Sequence, residues 1–242
     1  MALSPARVVG TFINVGTVLA GTVIGTAIGP RLPERYQRRV LTGLGMITLV
    51  IGVDLALAWG REDTSQSTPL YVLAGVLIGG LLGEAIGIEK GLERLGGYAQ
   101  ARLSRSEHST IAEGFVDASL LFCVGSLTVV GSIQDGLTGD YQTLATKAVL
   151  DGFAAIALSA ALGWGVGLSI VTILVVQGGI TLGAGFFDDI LVGEALQVMT
   201  SAGGITIIGI ALKLLDLADV KVGNFLPALV VAPALVGLVG LF

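Results

Sequence analysis

Long apolar runs, each closed by a short cluster of charged residues, recur along the whole chain. A run of about 20 apolar residues suits a helix that crosses the hydrocarbon core of a bilayer. Such runs read at 8–29, 40–59, 69–88, 113–134, 142–163, 166–187, 192–214 and 222–241. The pattern predicts an all-α, polytopic transmembrane bundle of about eight spans, forming one transmembrane domain over 1–242. Two spans are interrupted. FCVGSLTVVGS in the fourth and NFLPALVVAPAL in the eighth carry glycine, serine or proline, so both are expected to be broken or re-entrant, and seven spans is the alternative count. Between the third and fourth spans, the mixed charges of 89–110 read as a short surface helix.

Composition strengthens this picture and removes several function classes. Hydrophobic residues make up 53% of the 242 positions and charged ones 13%, about half the charged share of a soluble domain. The 37 glycines predict close helix packing, because small residues let membrane helices approach each other. Gly21, Gly25 and Gly29, one turn apart, mark one such face. Cys123 and His108 are the sole cysteine and histidine, so neither an intrachain disulfide nor a zinc site is expected, and no metal or other cofactor is implied. The net charge of -5 is scattered, and nucleic acid, which calls for a basic patch, is not an expected partner.

Arginine and lysine set the expected orientation, since short cytoplasmic loops carry the positive excess. Arg31, Arg35, Arg38 and Arg39 follow the first span, Lys90, Arg94, Arg102 and Arg105 the third, and Lys213 and Lys221 precede the last. These loops are placed inside. Those with Arg61, Glu62 and Asp63, with Asp135 and Asp140, and with Asp188 and Asp189 are placed outside, as are both termini. The positive cluster behind the first span marks it as retained rather than cleaved.

The chain also resembles itself at a constant offset of 158 residues. AGTVIG at 20–25 aligns with GGITLG at 178–183, TGLGMIT at 42–48 with TSAGGIT at 200–206, and PLYVLAGVLIG at 69–79 with PALVVAPALVG at 227–237. Repeat A (8–88) and repeat B (166–242) then flank central helices at 111–163. An even number of spans lies between the copies, so they face opposite ways, an arrangement common in secondary transporters. A duplicated scaffold with no pathway is the competing explanation.

Candidate chemistry sits where charge enters these runs. In KAVLDG, Lys147 and Asp151 stand one turn apart inside an apolar span, where a charge costs about 3 kcal/mol or more. They either satisfy each other, with Lys147 snorkelling outward, or serve a pathway. Asp117, one turn beyond Glu113, and the breaker-rich segment with Ser126, Thr128 and Gln134 are further candidates for binding a substrate or ion. Asn14 and Gln177, near the middle of the first and sixth spans, are either such ligands or interhelical glue. Glu113 and Asp135 read as solvated helix ends. Asp54, Glu84, Glu194 and Lys213 read as interfacial.

GTFINVG, FCVGSLTVVGSIQDG, KAVLDG and GNFLPALVVAP together resemble the bacterial membrane proteins grouped as domain of unknown function family 554. The resemblance covers nearly the whole chain and implies a polytopic inner-membrane protein of this size, with no substrate attached. The residues themselves favour a small secondary transporter or ion-conducting protein, linked to a proton or cation, whose partners are the bilayer, a small solute or ion, and a second copy in a homodimer. A non-transporting scaffold or sensor is the alternative. A lipid enzyme ranks third, and the chain is not expected to be an enzyme. DGFAA at 151–155 resembles the opening of the CDP-alcohol phosphotransferase signature, yet Ile156 stands where arginine is needed, and no HExxH, GxSxG or phosphate loop appears.

Overall fold

The computed structural model describes residues 8–60, 65–103, 110–123, 126–187, 191 and 193–239. Within them the regular structure is helical, with no strand. The helices are α1 (Val9–Ile28), α2 (Glu34–Ala56), α3 (Thr68–Ile86), α4 (Ile88–Leu103), α5 (Ile111–Cys123), α6 (Ser126–Thr138), α7 (Gln142–Leu162), α8 (Gly165–Leu182), α9 (Ala184–Phe187), α10 (Gly193–Leu214) and α11 (Ala228–Val239).

Six of these, α1, α2, α3, α7, α8 and α10, are each long and apolar enough to cross a membrane. The chain is a multi-pass membrane protein. Of the eight expected spans, the two interrupted ones are those that differ. The fourth is α5 and α6, bent by 62° at their break, and as one span it makes a seventh. The eighth is a shorter apolar segment, a 3-10 turn (Val222–Phe225) followed by α11, with Pro233 inside the helix. The α-helix begins only after Pro227 and runs on past Pro233 to Val239, so the 3-10 start is what shortens the run. The surface helix expected after the third span is present as α4.

The chain divides into two compact units, Met1–Leu44 with Leu92–Cys123 and Leu127–Gly185, and Gly45–Gly91 with Val124–Ser126 and Phe186–Phe242. In the first, α1 lies against α7 through its glycines. A Cβ on Gly21 would stand 2.9 Å from that of Ala155, and one on Gly29 would meet the main chain of Ala160. Gly10 faces Leu144 at the other end, so residue numbers rise together and the helices are parallel. Against α8 the sense is opposite: Gly167 faces Thr22, and Gly178 faces Thr11.

The broken pair α5 and α6 runs from one end of this unit to the other. At its start the Thr110 hydroxyl donates to the carbonyl of Leu162, where α7 ends (2.9 Å). At its finish Gln134 accepts from the hydroxyl of Thr143, where α7 begins (2.7 Å). Those ends of α7 are about 30 Å apart at 1.5 Å per residue. The pair therefore crosses with α7 and does not turn back.

In the second unit α3 meets α11 through another glycine row: Gly75, Gly79 and Gly83 face Ala232, Ala228 and Asn224, an antiparallel register. Gly45 and Gly52 of α2 face Leu215 and Ile208, each at 2.9 Å from a would-be Cβ, so α2 also runs antiparallel to the α10 chain. Val72, Val198, Ala202, Ala228 and Ala232 form the core. Carboxylates close its ends. Glu194 accepts from Thr68 and Ser65 at the start of α3, and Glu84 accepts from the amide of Asn224.

Candidate functional site

The Lys147 and Asp151 side chains, one turn apart on α7, form an ion pair. Both are buried, at 5% and 7% exposure, so Lys147 does not snorkel to the surface. Its ammonium also donates to the main-chain carbonyl of Phe122 (2.7 Å), next to the last residue of α5. The last carbonyls of a helix have no partner within it and carry partial negative charge. In a span broken at mid-depth there is little water to satisfy them. Lys147 thus supplies both a counter-charge for Asp151 and a donor for the broken end. The hydroxyl of Thr128, on the far side of the break, donates to the same carbonyl (3.3 Å).

Two amides complete the cluster. Asn14 of α1 donates through Nδ2 to Asp151 Oδ2 (3.0 Å) and to Gln177 Oε1 of α8 (2.9 Å). Gln177 donates in turn to the hydroxyl of Thr11 (3.3 Å). The carboxylate only accepts when ionised, so it fixes the amide of Asn14 with its NH2 inward. Asn14 Oδ1 is left buried with no hydrogen-bond partner among the described residues. Both bonds to Asp151 from Lys147 and Asn14 fall on Oδ2. Oδ1 accepts none among the described residues.

Four of the residues singled out from the sequence, Asn14, Lys147, Asp151 and Gln177, therefore meet in one network, and Thr128 joins it through Phe122. Gln134 does not; it lies at the far end of α6, bonded to Thr143. Asp117 is buried on α5, while the bonds from Asn14 and Lys147 converge on Asp151. The side chain of Ser126 lies outside the described residues.

Asp135 reads as a solvated helix end from sequence, and the structure corrects this. It is fully buried and its Oδ2 accepts the N–H of Gly10 (3.0 Å) in the first turn of α1. A carboxylate there satisfies a free N–H and complements the helix dipole. Asp135 Oδ1 and the hydroxyl of Ser132, one turn back on α6, are both buried with no hydrogen-bond partner among the described residues. Thr128, Ser132 and Asp135 follow one another at spacings of four and three, all buried on one face of α6. That spacing is the sequence signal for the row. Gly10 adjoins Thr11, so polar groups continue from Asp151 through Asn14, Gln177 and Thr11 to Asp135. Among the described residues no three His, Cys, Asp or Glu side chains gather to hold a metal ion.

The model of a family described as "Protein of unknown function (DUF554)" matches residues 9–237. The chain is 29% identical over 233 residues to the uncharacterized membrane protein YdfK of Bacillus subtilis (strain 168), covering 96% of this chain and 97% of the relative. It is 30% identical over 229 residues to the uncharacterized protein YqgA of Escherichia coli (strain K12), covering 93% and 94%. No solved structure matches it.

Proposed function

Starting from the DUF554 family, to which this chain belongs, we propose that it is a small secondary transporter or ion-conducting membrane protein, moving a small solute or cation in a step linked to a proton or cation. The observation that carries this reading is the buried Lys147–Asp151 pair at the break of the α5–α6 span. Ionisable groups are costly at membrane depth and commonly mark pathways. Lys147 has two acceptors, so it can keep the Phe122 carbonyl while a proton or cation takes its place at Asp151. The unengaged Asp151 Oδ1 offers the landing point. The polar groups from Asn14 to Asp135 then supply a route toward the end of α6, with unpartnered oxygens on Asn14, Ser132 and Asp135.

The pairing of helices supports an inverted repeat. The offset of 158 relates α1 to α8, α2 to α10 and α3 to α11, and each helix runs antiparallel to its counterpart's segment. That register is what a two-fold axis in the membrane plane requires. We further read the arginine-rich turn between α1 and α2 as cytoplasmic, both termini as outside, the membrane as the bacterial inner one, and the assembly as a homodimer.

The test is thermal unfolding of purified protein as Na+ or K+ replaces choline, and separately as pH changes. A ligand that binds only the folded state raises the midpoint with its concentration. Asp151→Asn is expected to abolish the response and Lys147→Met only to alter it. An Asp151→Asn protein that responds like wild type removes the cluster from function and leaves it a self-satisfied pair in a scaffold.

A further inference from the structure

The first turns of α2 carry Arg35, Arg38 and Arg39, all exposed. Their spacing of three and four sets them on one face of the helix. Among the described residues none of the three guanidinium groups has an ion pair or a hydrogen bond; Arg35 only lies over the ring of Tyr36, 4.9 Å from its centre. Arg31 differs, since its guanidinium donates to the carbonyl of Ala27 (3.0 Å). Like charges this close repel each other, and among the described residues Glu34 is the carboxylate that lines a cleft with them. A cleft of about 420 Å³ lies among Glu34, Arg35, Arg38, Arg39 and Thr42. An arginine fork matches the oxygens of a phosphate two at a time.

What lies further along α2 selects the form of phosphate. Arg35, Arg39 and Thr42 continue at helical spacing into Met46, Val50 and Val53, which are exposed apolar residues of the same helix. Of the six unbroken spans, α2 has the smallest buried share, so its flank is open to lipid. One helix face thus carries unpaired positive charge at its end and bare hydrocarbon beyond it, the division found in a phospholipid. Clusters of basic residues beside a span attract anionic headgroups. We infer that this face of α2 binds an anionic phospholipid, its phosphate held by Arg35, Arg38 and Arg39 and its acyl chain lying along Met46, Val50 and Val53.

The experiment adds phosphatidylglycerol, or phosphatidylcholine with the same acyl chains, to delipidated protein in mild detergent. It reads retained lipid by native mass spectrometry and the unfolding midpoint by heating. Wild type is expected to retain phosphatidylglycerol and gain in midpoint, and to do neither with phosphatidylcholine. Arg35→Gln with Arg38→Gln and Arg39→Gln should weaken retention at least tenfold. These side chains are exposed, so the triple variant is expected to fold. Arg31→Gln should retain the lipid as wild type does, because its guanidinium is already engaged. Equal retention of both lipids, or of phosphatidylglycerol by the triple variant, overturns the site. Inorganic phosphate or glycerol phosphate reproducing the rise at millimolar concentration would overturn the lipid as ligand. None of these outcomes depends on Asp151.

Discussion

Lys147 on α7 donates to the main-chain carbonyl of Phe122, across to the broken end of α5. The lysine is therefore shared between a side chain and a backbone, and the two roles separate in mutants. Lys147→Met leaves Asp151 charged, buried and without its cation, at a cost of about 3 to 5 kcal/mol. Asp151→Leu strands the ammonium at a similar cost. Joining the two removes both charges but leaves the Phe122 carbonyl only the longer bond from Thr128 in place of the ammonium, a residual deficit of about 1 to 3 kcal/mol. Reversible unfolding of the three variants in detergent checks the order, and a double variant worse than either single one refutes the sharing.

The glycines of α1 are not equivalent. At Gly21 a Cβ would stand 2.9 Å from Ala155 Cβ, and at Gly16 it would meet nothing within 4 Å. Gly21→Ala is expected to cost about 1 to 3 kcal/mol through overpacking. Gly16→Ala should be neutral or stabilising by up to about 1 kcal/mol, since glycine is the poorer helix former. Midpoints from thermal scans of the two variants decide it.

Several of these features are legible in the amino-acid order alone. KAVLDG places a lysine and an aspartate one turn apart, and that spacing is enough for the pair. Glycine and proline mark the two spans that are not continuous, and the row Gly21, Gly25, Gly29 marks a close helix contact. The partner of Lys147 at Phe122 is not legible, because a backbone carbonyl has no signature in sequence. Asp135 looks solvated in sequence because its burial depends on the start of α1 arriving beside α6, a contact between residues 125 positions apart. Asp117 resembles Asp151 in type and setting, yet Asn14 bonds to Asp151, a contact between residues 137 positions apart that residue types do not encode.

Asp135 acts on α1 through one hydrogen bond to Gly10, so its charge and its bonding can be told apart. Asp135→Ala should lose about 1 to 2 kcal/mol, the usual worth of a helix cap. Asp135→Asn keeps an acceptor for that N–H and should lose less, while any cation dependence that uses the α6 route weakens. Equal destabilisation by alanine and asparagine would mean the bond to Gly10 contributes nothing.

Orientation is open to labelling. Cys123 is buried and free, so it adds no background in intact cells. A cysteine replacing Asp140, an exposed residue just before α7, is expected to react with an impermeant reagent from outside. One replacing Arg38 should react only after permeabilisation. Reaction of both from the same side contradicts the assigned orientation and, with it, the crossing of α5 and α6 alongside α7.

Glycine contact between α1 and α7 has a mechanical consequence. Two helices separated by long side chains can slide, because those chains switch rotamer as they pass. Along Gly21 and Gly29 the main chains themselves are in contact, and nothing is there to act as a bearing. α1 and α7 therefore travel as one rod, carrying Asn14, Lys147 and Asp151 together. Any rearrangement that opens the cluster has its slip plane on the side of Phe122 and Gln177, where hydrogen bonds and side-chain contacts hold the neighbours in register.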